Sequence, residues 1–175
     1  NDGFDQHYNV QVAVDQDSLL IVATSLSNHP NDKREAEPTL AALSPCLGKP
    51  SAAALDNGFF SEHNILTFEQ RKIEPYIATG REAHHKDLNT LLGTTCPVPP
   101  EDATHLEKMT YKLSTEIGQA IYRLRKCTVE PVIGIIKEIL GFRQFSLRGL
   151  TQATGEWCLV WLAFNLKRLH ILMTT

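Results

Sequence analysis

Tyr8, Val10, Val12 and Val14 alternate with Asn9 and Gln11, which predicts a strand with one buried face over Tyr8–Asp15. Asp15-Gln-Asp-Ser18 is turn chemistry, and Leu19–Leu26 is a second β-rich run. The two runs predict an antiparallel hairpin. Asn28-His-Pro-Asn-Asp32 closes it, and a helix is expected from about Asp32, capped by Asn31 or Asp32, through Leu40 and Leu43. Pro38 delays or kinks that helix. Ser51–Asn57 is a short run of small apolar residues ending at Asp56; a turn at Gly58 follows, and Ser61 caps the next helix. Glu74–Ala78 reads as one more short strand.

The later pattern is helical. Residues 80–105 are an irregular insertion, because Gly80, His84, His85, Gly93, Cys96, Pro97, Pro99 and Pro100 interrupt every period. From Leu106 onward, residues 106–175, the chain reads as helix. Ser114 or Thr115 caps a helix that turns Ile117, Ala120, Ile121 and Leu124 inward. Val129, Val132, Ile133, Ile136 and Leu140 follow at i, i+3, i+4, i+7 and i+11, a buried stripe that stops at Gly141. Pro131 leaves two geometries open: a new helix starting near a Thr128 cap, or one long helix that bends. A last helix is expected from about Thr154 to Ile171, with Trp157, Val160, Trp161 and Phe164 as packing aromatics and aliphatics rather than a base-stacking platform.

At 175 residues, 42% hydrophobic and 21% charged, the composition is that of one ordinary globular domain. No apolar run approaches a membrane span; the densest, Trp157–Phe164, is closed by Asn165, Lys167 and Arg168. Cys46, Cys96, Cys127 and Cys158 form no Cys-x-x-Cys pair, so neither a zinc site nor a disulfide framework is indicated. The net charge of −3 hides an asymmetry. Residues 1–105 hold 7 Lys/Arg against 15 Asp/Glu, a balance of −8, and residues 106–175 hold 10 against 5, a balance of +5. An acidic part beside a basic part suits a metal site next to a phosphate-binding surface.

Candidate chemistry centres on Tyr122–Lys137. Glu130, Gly134 and Lys137 share a helix face at i, i+4 and i+7, with Tyr122, Arg125 and Lys126 just before them. One acid among basic groups suits a metal-bound phosphodiester, the acid on the metal and the cations on phosphate. The competing reading is a solvated face with ordinary i, i+4 pairs, and residue types alone favour it. Asp56 stands at a strand end before a crossover helix, where open α/β sheets place ligands; an Asp-Asn-Gly turn explains it equally. His84-His85 has no third ligand at metal spacing.

The ordered set of these pieces resembles the catalytic domain of bacterial insertion-sequence transposases with an Asp-Asp-Glu metal site. Carrying it are Tyr8–Asp15, Asn31-Asp32, Leu55-Asp56-Asn-Gly-Phe-Phe-Ser61, and Ala78-Thr-Gly-Arg81 with His84. They continue with Tyr122-x-x-Arg125-Lys126, Val129-Glu130-Pro131-Val-Ile-Gly134-x-x-Lys137, Phe145-x-Leu147-Arg148-Gly149, Glu156-Trp157 and Ala163-x-Asn165-Leu166. The most similar branch has the glutamate motif Val-Glu-Pro-Val-Phe-Gly, with Ile133 here in place of Phe.

The resemblance implies an α/β, ribonuclease-H-like fold, a mixed sheet of five strands flanked by helices, with a helical C-terminal part. It implies Asp56 as the second catalytic aspartate and Glu130 as the catalytic glutamate, both on metal. Tyr122, Arg125, Glu130 and Lys137 resemble a Tyr-Arg-Glu-Lys signature whose cations hold DNA phosphates. One extra residue between Arg and Glu leaves Arg125 and Lys126 as alternatives, and Arg148 joins the phosphate-binding set. The first aspartate lies on the first strand of such folds, and its Asp-Pro-acid-small-Arg motif does not occur here. The expectation is therefore a fragment whose first strand lies upstream of Asn1, inactive as it stands, with Asp15 as the only substitute at a strand end.

The implied reaction is hydrolysis at transposon ends, then attack of the freed 3′ hydroxyl on target DNA. Two Mg²⁺ ions about 3.5–4 Å apart, with Mn²⁺ as substitute, suit carboxylate ligands. The implied partners are transposon-end and target DNA and a second copy of the chain in a homodimer, with no membrane, in the bacterial cytoplasm at the nucleoid. The other readings are a catalytically dead remnant that only binds DNA and a helical protein-interaction domain.

Overall fold

A computed structural model of the chain describes residues 7–80 and 98–174. The expected irregular insertion, with Arg81, His84, His85 and Cys96, lies largely outside the described residues. The chain divides into two compact units, one of Asn1–Gly48 with Lys126–Thr175 and one of Lys49–Arg125. Among the described residues the strands form two separate two-stranded sheets, where the family resemblance implies five strands in one.

In the first unit β1 (Asn9–Val14) pairs antiparallel with β2 (Ile21–Ser27), from Asn9 opposite Ser27 to Ala13 opposite Ala23. The register shifts between Ala13 and Val14. The alternation sets the faces: Val10, Val12, Val14 and Leu26 pack on the core that holds Ile21, while Ala23 and Ser27, opposite Ala13 and Asn9, are buried on the other face. The helix expected from Asp32 is delayed. Asp32–Arg34 is a single 3₁₀ turn, and α1 runs Ala36–Ala41. Pro38 then sits in the first turn of α1, where a missing N–H removes no intrahelical bond. Neither Asn31 nor Asp32 caps it; the Asp32 carboxylate instead accepts from the Asn9 and Gln11 side-chain amides at 2.7 and 2.8 Å.

The core of this unit joins Ile21, Val132, Ile136, Trp157 and Phe164. α5 (Leu150–Thr174) begins four residues before the expected Thr154. Its inward face holds Ala153, Trp157 and Phe164, and the Trp157 Nε1–H donates to Thr24 Oγ1 on β2. Between the hairpin and α5 the Asn165 carboxamide bonds the backbone of Ile21, and Arg168 Nε donates to the Ser18 carbonyl at 2.7 Å.

In the second unit β3 (Ala52–Leu55) lies parallel to β4 (Glu74–Ile77), and α2 (Glu62–Gln70) makes the crossover. Ser61 caps α2 by accepting from Asn64 N–H. α3 (His105–Ser114) opens on a capping box: Thr104 accepts from Glu107 N–H, and the Glu107 carboxylate accepts from Thr104 N–H. Met109 of α3 packs with Ile65 and Ile77. Thr115 caps α4 (Glu116–Gly134) through Gly118 N–H. Gly118 itself has no room for a side chain, because an added Cβ would lie 1.9 Å from the Lys112 carbonyl oxygen.

α4 resolves the ambiguity at Pro131. It is one helix with the proline inside it, and Thr128 is a buried helical residue rather than a cap. Ile135–Ile139 then widens into a π turn, closed by Leu140 N–H on the Ile135 carbonyl at 3.0 Å. Gly141, at φ 71°, ends it in the left-handed conformation that favours glycine. No helix among the described residues is long and apolar enough to cross a membrane.

Candidate functional site

Asp56 stands where the sequence places it, one residue past β3 and at the head of a 3₁₀ turn over Asn57–Phe59. That turn takes the chain off the strand end and leaves the carboxylate more than half exposed, 58% for the side chain. Its Oδ2 accepts from Nη1 of Arg125 at 2.9 Å. Arg125 is the enclosed partner, with its side chain 14% exposed. The guanidinium carbon lies 5.6 Å from the Tyr122 ring centroid, within cation–π range. Its Nε is buried and has no hydrogen-bond partner among the described residues. The second unit thus brings together Asp56, Tyr122 and Arg125, one expected metal ligand and two expected phosphate contacts.

The first unit holds the other expected site residues. Glu130 is exposed on α4 and makes no hydrogen bond or ion pair among the described residues. Lys126 is exposed too. Lys137 is exposed and lies within the π turn, one residue after the buried Ile136. A π turn uses more residues per turn than an α-helix. The step from Glu130 to Lys137 is therefore not the plain i, i+7 spacing of a straight α-helix.

Arg148 is exposed on a braced loop. The Glu156 carboxylate accepts from Ser146 N–H at 2.9 and 3.0 Å and from Leu147 N–H at 2.9 Å. Gly149 N–H donates to the Tyr8 hydroxyl at 2.7 Å. The Leu147 amide, then the Ser146 amide, hold Glu156 below the ordinary carboxylate range. Its sequence position, at the start of the Trp157 stripe, gives no sign of this bracing role.

Asp15 has a turn role. Its Oδ2 accepts from the Ser18 hydroxyl at 2.6 Å and the Ser18 N–H at 2.9 Å, and these bonds lower its pKa, the hydroxyl most. Among the described residues no group of three or more His, Cys, Asp or Glu side chains is placed to hold a metal ion. Cys46, Cys127 and Cys158 are free, exposed thiols.

Residues 93–170 match the family model described as a transposase DDE domain. The match supports a DDE-type transposase, a class that acts on DNA and generally uses divalent metals. It takes in Tyr122, Arg125, Lys126, Glu130, Lys137 and Arg148, and stops short of Asp15 and Asp56. Comparison with curated proteins and with solved structures found no match.

Proposed function

We propose that this chain is part of the catalytic domain of a transposase that hydrolyses phosphodiesters at transposon ends and joins the freed 3′ hydroxyl to target DNA. The observation that carries this reading is the transposase match over the segment holding Glu130 and five of its expected phosphate contacts. In this reading Asp56 and Glu130 each serve as a metal-binding carboxylate of the kind a ribonuclease-H-like transposase uses. Their hard oxygens suit Mg²⁺, or Mn²⁺ in its place. When bound, such ions supply Lewis-acid stabilisation of the reacting phosphate. The protein's own contribution is charge and position. Lys137 and Arg148 are exposed cations with no bond among the described residues, and Lys126 and, in the other unit, Arg125 are further cations to contact the DNA backbone. A homodimer acting at the bacterial nucleoid belongs to the same reading. It is supported by the exposed apolar row Leu159, Leu162, Leu166 and Leu169 on α5, at the 3,4 spacing of a helix-pairing seam.

The test is Mg²⁺-dependent nicking of supercoiled DNA by the full-length protein. Glu130→Gln and Asp56→Asn should each abolish it without weakening DNA binding. The second reading, a remnant that binds DNA without cutting it, is favoured by the engagement of Asp56 with Arg125. It predicts DNA binding with no nicking and no metal effect. A helical protein-interaction domain predicts no DNA binding at all.

A further inference from the structure

We propose that Asp56 is a built-in competitor for the phosphate site of Arg125, so that DNA must displace it and in doing so frees it. The proposal rests on the transposase reading above. A carboxylate and a phosphate present similar oxygen pairs to a guanidinium, so either fits the same fork. Asp56 takes a single donor of that guanidinium, its Oδ2 meeting Nη1 at 2.9 Å. Nε–H lies on the other edge, buried and without an acceptor among the described residues. A phosphate, with several oxygens, can span Nη1 and Nη2 where Asp56 holds Nη1 alone.

The two partners also differ in freedom. Arg125 is largely enclosed and lies beside Tyr122, whereas Asp56 is mostly in solvent at the head of a turn. Exchange therefore moves the carboxylate and leaves the arginine in place. The barrier to exchange is small, since an ion pair with one half-exposed partner is screened. Released from Arg125, Asp56 becomes available to a cation. By linkage, a cation held by Asp56 must strengthen DNA binding as much as DNA strengthens cation binding. The pair thus engages one oxygen of the carboxylate until a phosphate arrives.

The experiment measures binding of a fluorescent DNA duplex in EDTA by wild type, Asp56→Asn, Arg125→Gln and the double variant. Glu69→Gln, at another exposed acid of the same unit, reports the generic effect of losing one negative charge. Asp56→Asn should tighten binding by about two- to five-fold beyond Glu69→Gln, the range of a screened ion pair. That gain should disappear in the Arg125→Gln background. A second readout needs no substitution: the Arg125 Nε–H resonance of wild type should shift when the duplex is added in EDTA. A gain no larger than for Glu69→Gln, a gain that survives loss of Arg125, or an unmoved Nε–H resonance overturns the exchange while leaving the transposase reading intact. No DNA binding by any variant overturns both.

Discussion

Asn165 grips a single residue of β2 with both ends of its carboxamide. Nδ2 donates to the Ile21 carbonyl at 2.8 Å, and Oδ1 accepts from the Ile21 N–H at 2.9 Å. Ile21 lies at the register shift of the hairpin, where ladder pairing is disturbed. The side chain of α5 thus replaces the bonds a neighbouring strand supplies. Asn165→Leu keeps the size and leaves both backbone groups unpaired. Each unpaired buried group costs about 1–3 kcal/mol. Urea unfolding should show a loss of at least that size for the variant; a change under about 0.5 kcal/mol, the ordinary surface effect, would mean water replaces the amide.

Gly118 should tolerate no side chain. The Cβ of Gly118→Ala would sit 1.9 Å from a backbone oxygen, so α3 and α4 must separate at their junction. The expected loss exceeds the gain of about 1 kcal/mol that alanine brings inside a helix. A thermal midpoint equal to or above wild type would show that the junction yields freely.

Local signals made much of the fold legible, and distant pairings stayed hidden. The hairpin was readable because Tyr8 to Val14 alternate strictly, and Ser61 because a hydroxyl before an apolar helix has one common use. Pro131 was not decidable, since Thr128-Val-Glu-Pro suits a helix start as well as an interior. Burial of Thr128 in the core decided it. α5 starts earlier than its apolar stripe from Trp157 indicates, and the left-handed Gly149, at φ 96°, marks the entry. Within the site, the strand-end place of Asp56 was legible from its small apolar run. Its bond to Arg125 spans 69 positions, and no period or spacing reports a contact of that kind.

Glu156 makes the loop of Arg148 sensitive to acid. Amide bonds depress its folded pKa below its ordinary value near 4.5. Its contribution is therefore complete above that value and is lost as pH falls through the lower folded pKa. Protection of the Ser146 and Leu147 amides from hydrogen exchange, relative to their intrinsic rates, should be high at neutral pH and fall on acidification. In Glu156→Gln this acid step should be absent. The same step in both proteins would place the acid response elsewhere.

Ile136 and Lys137 are sequence neighbours in the π turn with opposite surroundings, and their substitutions should separate stability from DNA binding. Ile136 is 2% exposed in the core with Val132 and Trp157, whereas Lys137 faces solvent. Ile136→Ala removes packed methylene groups and should cost about 2–5 kcal/mol. The folded fraction should still bind DNA with an unchanged salt dependence. Lys137→Ala removes no core contact, so its unfolding midpoint should stay within the ordinary surface range of about ±0.5 kcal/mol. Its effect should fall on phosphate binding instead. Affinity should drop to a similar degree for unrelated sequences, and the log–log salt slope should shrink by about one counterion. Titrating both variants against two unrelated duplexes at several salt concentrations checks the pair. A Lys137→Ala slope equal to wild type would reduce Lys137 to a surface charge. A sequence-dependent loss would instead make it a reader of bases, against the backbone role that its position on a solvent-facing turn supports.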